Sequence, residues 1–193
     1  MDNTVTLWII VGAIALAIMA IGIIVSQRRA RLRRAELKQQ FGPEYDRAVQ
    51  EFGGPARAER VLNARTRRVE HFKSRELSVA DRSRFGAAWT RIQAQFVDDP
   101  AVAVASAGEL INEVMRARGY PTDGFDQRVA DLSVEHPGVV QHYRAAQALY
   151  ESNRSGQGNT EELRQAVVHY RALFADLLRE PMPLSRSLRS AHA

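Results

Sequence analysis

VTLWIIVGAIALAIMAIGIIV, residues 5–25, runs for 21 residues without a charged side chain. As a helix rising ~1.5 Å per residue it would span ~31 Å, about one hydrocarbon core. Trp8 lies near one end, where an indole suits the interface, and Gly12 and Gly22 are tolerated because lipid offers the backbone no competing partner. A cleavable leader asks for cations ahead of a shorter apolar run and for a small-residue cleavage site; only Asp2 and the amino terminus precede this one. Residues 1–27 therefore read as a single transmembrane anchor.

Directly after it come Arg28, Arg29, Arg31, Arg33, Arg34 and Lys38. Cations accumulate on the cytoplasmic side of a span, so the expected topology has the N-terminus outside and the larger C-terminal part in the cytoplasm. The same six side chains are expected to touch the headgroups of an anionic leaflet, at ~1 kcal/mol each. Gly12, Ala15 and Ala17 are small enough for a second helix to approach, which leaves a homodimer through the anchor open.

The formal net charge is +5 and unevenly spread. Residues 1–75 hold 14 Lys and Arg against 7 Asp and Glu, while residues 76–193 hold 13 against 15. Basicity thus gathers beside the apolar run, and the whole-domain cationic surface of a nucleic-acid binder is not expected. Cysteine is absent, which excludes disulfides, thiolate catalysis and Cys-based zinc sites.

The rest of the chain reads as helices. Residues 28–54 form a basic juxtamembrane stalk, broken at Gly42-Pro43 and Gly53-Gly54-Pro55; residues 55–180 form the helical domain; residues 181–193, rich in Ser and Arg, form a disordered tail. An arginine-rich helix over about 56–72 has a solvated face as its default. Ser78 is placed to cap a helix whose stripe is Phe85, Trp89, Ile92 and Phe96, and Asp98-Asp99-Pro100 opens the next, which Gly119 ends. A short helix with Val129 and Leu132 stops before His136-Pro137. Val139, Tyr143, Ala146 and Tyr150, then Leu163, Val167, Tyr170, Phe174 and Leu177, mark an antiparallel hairpin whose second helix Thr160 is read as capping. No stretch alternates as a strand does, so the expected fold is all-α: one transmembrane helix followed by a bundle-like soluble domain.

FGPEYDRAV (41–49), QFVDDPAVAV (95–104), VMRARGYPTDGFDQRVADLSVEHPGVVQHYRAA (114–146) and LRQAVVHYRALFADLL (163–178) together resemble a family of uncharacterised bacterial membrane-anchored helical proteins. The resemblance implies setting and fold and supplies no activity or site. The repeat of His142-Tyr143-Arg144-Ala145 as His169-Tyr170-Arg171-Ala172 is similar to tetratricopeptide hairpins, but the connector is too long for a 34-residue unit and no copies stack beside it.

No catalytic, metal, nucleotide or cofactor spacing stands out. His142 and His169 are placed to face each other across the hairpin. Asp123, Asp126, Asp131, Glu135 and His136 crowd one segment without the order of a calcium loop. Tyr120, Pro121 and Phe125, in a loop, are either tucked beneath it or presented to a protein partner. The expected function is a membrane-tethered interaction or adaptor protein. The alternative is an enzyme or small-ligand domain with a pocket near Trp89, Tyr120, Asp123, His136 and His142.

Overall fold

A computed structural model describes residues 2–72, 75–121 and 123–179, except for the side chains of residues 2–7, 9–15 and 17. Among the described residues there are eight α-helices and no strand. The expected tail, 181–193, lies outside them. The chain divides into two units, Met1–Gln40 and Phe41–Ala193.

The first unit belongs to α1 (Asp2–Phe41), one helix of 40 residues. Its described apolar side chains Trp8, Leu16, Ile18, Met19, Ile21, Ile23, Ile24 and Val25 are all exposed. Among the described residues no helix is long and apolar enough to cross a membrane. The side chains of residues 5–7, 9–15 and 17 of the expected anchor lie outside the description, those at the expected packing positions Ala15 and Ala17 among them. The transmembrane reading of α1 therefore finds no support there and rests on the sequence alone.

The second unit begins where the chain must turn. Gly42 has φ +50°, a conformation costly for a side chain bearing a Cβ, and Pro43 takes the first position of α2 (Pro43–Glu51). α2 packs on α3 (Pro55–Phe72), burying Tyr45 and Ala48, with the Tyr45 hydroxyl 3.3 Å from Glu59 Oε1. The helical unit thus starts at Phe41 and takes in α2, earlier than the Gly53-Gly54-Pro55 break suggests.

Ser78 caps α4 (Val79–Asp98) by accepting from the Asp81 amide at 3.0 Å. Asp99 caps α5 (Pro100–Ala117) in the same way through Val102, and Gly119 at φ +86° ends it. α6 (Phe125–Glu135) stops at His136, before Pro137. α7 (Val140–Arg154) runs further into the connector than its polar composition suggests. Asn159, not Thr160, caps α8 (Thr160–Leu178), its side-chain oxygen 3.0 Å from the Glu162 amide; one residue earlier is where that oxygen reaches the free N–H.

The main core forms where α5 meets α4, α7 and α8. Val104, Ala107, Ile111, Val114 and Met115 of α5 are wholly buried there, with Phe85, Leu173 and Leu177. Trp89 stacks on Phe174, ring centroids 4.8 Å apart and planes at 18°. α6 lies on α7, and α3 lies on α6, so α2 and α3 form an outer layer. Ile111→Ala should cost ~2–5 kcal/mol by opening a cavity in this core. Val97→Ala, at a position 83% exposed, should stay within ~0.5 kcal/mol; urea midpoints of the two variants check both values.

Candidate functional site

The outer layer is fastened by arginines that reach two buried carboxylates. Glu44 of α2, 1% exposed, accepts hydrogen bonds from Arg144 and Gln141 of α7. Arg68 of α3 spans two carboxylates, with Nε 3.2 Å from Asp131 Oδ1 and Nη2 2.8 Å from Asp123 Oδ2. Asp131 is wholly buried and also accepts from Gln127 Nε2 at 2.8 Å. Burial pushes its pKa above the usual carboxylate range, while Gln127 and Arg68 pull it back. Burial likewise lowers Arg65, against the fields of Glu44 and Glu51. The arginine-rich helix is therefore not simply a solvated face: Arg57, Arg60 and Arg67 are exposed, but Arg65 and Arg68 turn inward.

Of the two readings of the loop at Tyr120, Pro121 and Phe125, tucked beneath or presented, Tyr120 takes the first. Tyr120 is buried and its hydroxyl donates to Glu135; burial and that carboxylate raise its pKa. Phe125 is half-buried against Tyr143, ring centroids 4.9 Å apart, and Pro121 is half-buried. Tyr120 is thus unavailable as an interface anchor, because its ring and its hydroxyl are both satisfied inside the fold.

Of the residues named for the alternative reading, Trp89, Tyr120, Asp123, His136 and His142, the structure sets Tyr120 beside His136 and gives the other three to separate contacts. Trp89 is stacked in the core, Asp123 holds Arg68, and His142 faces His169. His136 lies beside Tyr120, ring centroids 6.4 Å apart, and its Nδ1 is 2.5 Å from Asp176 Oδ2. That contact, above all, holds the Asp176 carboxyl below its usual range. An oriented imidazole next to a carboxylate resembles a general base, yet His136 Nε2 is buried without a hydrogen-bond partner and faces none of the described clefts. Arg118 is buried nearby in sequence and donates from Nη1 to the Leu177 carbonyl at 2.9 Å.

A cleft of about 310 Å³ lies elsewhere, along α5, α7 and α8 with Arg128 of α6 at its edge, and no motif announced it. Arg128, Tyr143, Gln147, Tyr150, Glu151, Arg154 and Tyr170 line it, with Gly108, Glu109 and Asn112 on the α5 side. Arg128 Nε donates to the Tyr143 hydroxyl at 3.0 Å, and the Tyr170 hydroxyl donates to Gln147 Oε1 at 3.3 Å. A Cβ at Gly108 would come within 3.3 Å of that hydroxyl, so glycine makes room for it. The one signal in the sequence is the spacing of Gln147, Tyr150, Glu151 and Arg154, which places them on one helical stripe. A second hollow, between α2 and α3, is lined by Glu51, Phe52, Arg57, Arg60 and Val61. Arg28, Arg29, Arg31, Arg33, Arg34 and Lys38 are all exposed on α1.

Glu44→Ala should cost ~3–5 kcal/mol, because it leaves a guanidinium in the interior without its counter-ion. Hydrogen exchange should show α2 and α3 opening first, ahead of α5 and α8. Asp176, whose pKa is depressed in the fold, contributes stability that is fully present above the ordinary carboxylate range and lost as pH falls through its folded value. The stability gap between the wild type and Asp176→Asn should therefore narrow as pH is lowered from about 5 to about 2, as denaturant melts at each pH would show.

Compared with known proteins, the chain matches no family model, no curated protein and no solved structure, so no activity or residue role passes to it from a relative.

Proposed function

We propose that the chain is a membrane-tethered helical interaction protein, with α1 inserted in a bilayer and the unit from Phe41 onward held at the cytoplasmic face to engage a protein partner. The observation that carries the reading is the uncharged apolar stretch of the sequence at 5–25; among the described side chains, Ile18, Met19, Ile21, Ile23, Ile24 and Val25 of α1 lie exposed together. Water-facing monomers rarely leave such a contiguous apolar surface uncovered. Residues 5–25 carry no charge, and the cations from Arg28 to Lys38 follow at the position where anionic headgroups would meet them. In the helical unit, the buried carboxylates Glu44 and Asp131 are each held by an arginine of the fold, which suits a stable platform better than a reaction centre.

A second reading, a small-ligand-binding domain, is favoured by the cleft along α5, α7 and α8 alone. Its three tyrosines and two guanidiniums would suit a small anionic or aromatic molecule.

The full chain expressed in a bacterial host should sediment with membranes and resist carbonate extraction. A reporter fused after Ala193 should be active only in the cytoplasm. Replacing Arg28, Arg29, Arg31, Arg33 and Arg34 by Glu should weaken or invert that signal. Release of the wild-type chain by carbonate would defeat the membrane reading.

A further inference from the structure

The tetrapeptide His-Tyr-Arg-Ala stands at 142–145 on α7 and again at 169–172 on α8. The hairpin places the copies against each other: the Tyr143 and Tyr170 rings are 6.4 Å apart in the core, and His142 and His169, one residue earlier in each copy, meet nearer the surface. Both tyrosines are buried and both histidines half-exposed, so the core fixes the two backbones while solvent still reaches the imidazoles. The Nδ1 atoms stand 2.9 Å apart, with ring centroids at 5.2 Å and planes inclined by 35°.

Two facing nitrogens at that distance either share one proton or turn their lone pairs onto one ion. Imidazole nitrogen binds a first-row divalent metal at ~2.0–2.1 Å. Two such ligands at a right angle lie ~2.9 Å apart, and at a tetrahedral angle ~3.3 Å apart. The observed separation matches adjacent corners of a square-planar or octahedral shell, the geometry preferred by copper(II) and nickel(II). No group of three or more His, Asp or Glu side chains that could hold a metal occurs among the described residues, so solvent or an outside ligand would fill the other positions.

We propose that His142 and His169 form a two-histidine site for a divalent first-row transition metal ion, copper(II) or nickel(II) in preference to zinc. The coordination positions left open make it a site able to take a further ligand. It is independent of whether α1 enters a membrane.

The test uses the untagged full chain in detergent, stripped with a chelator and titrated calorimetrically with nickel(II). The wild type should bind one ion per chain. His142→Gln and His169→Gln should each weaken binding more than about tenfold, the loss that even removing an outer-shell partner can cause. His71→Gln, at an exposed histidine bonded to its own helix, should bind as the wild type does. Copper(II) electron paramagnetic resonance of the wild type alone should show two equivalent imidazole nitrogens, a readout that does not depend on any variant folding. No binding by the wild type, binding undiminished in His142→Gln and His169→Gln, or a copper spectrum with one nitrogen would each overturn the proposal.

Discussion

The packing of α5 against α4, α7 and α8 is the constraint from which the helical unit takes its form. α5 buries seven apolar residues along one broad face, while Glu109, Glu113 and Arg116 stay exposed on the other. That face must be covered, and three amphipathic neighbours supply the cover. Small residues at Ala103 and Ala107 allow close approach, while Trp89 and Phe174 fill the space between α4 and α8 by stacking. Helices that do not touch α5 strongly are placed second-hand: α6 by α7, α3 by α6 and α2 by α3.

That succession explains why charge, not apolar area, marks the outer layer. α2 and α3 bury few large side chains of their own, chiefly Tyr45, Leu62 and Val69. Their register against α6 and α7 is set by Glu44 with Arg144 and by Arg68 with Asp131. Buried ion pairs add little net stability over an apolar pair of the same shape, but losing one partner is costly, so they enforce a single arrangement. The same reasoning covers Tyr120 with Glu135 and His136 with Asp176, which tie the α5–α6 loop and the end of α6 to their neighbours. Polar groups that look chemically promising in a list of residues are here the fasteners of the fold.

Most helix boundaries were legible because they are local chemistry. Ser78, Asp99-Pro100, Gly119 and His136-Pro137 act on backbone groups within four residues, so their effect does not depend on what packs elsewhere. The facing of His142 and His169 was legible for a related reason, since a hairpin with the same tetrapeptide on both arms brings like residues opposite each other. The cleft was not legible, because its lining joins α5, α6, α7 and α8 and no two of those stretches signal each other along the chain. Nor was the inward turn of Arg65 and Arg68, which differ from Arg67 only in the direction that helical phase and a distant carboxylate assign them.

By itself the sequence determined the all-α character, most of the helix ends, the uncharged run at 5–25 with its following cations, and the absence of cysteine chemistry. These depend on composition, period and near neighbours, all of which the linear order contains. Only the tertiary structure decided that the helical unit starts at Phe41, that Tyr120 is enclosed, and that Trp89, Asp123, His136 and His142 go to separate places. Those outcomes depend on pairs such as Glu44 with Arg144, 100 residues apart. A contact at that separation arises from the packing of whole helices, and no local pattern encodes which pair will meet.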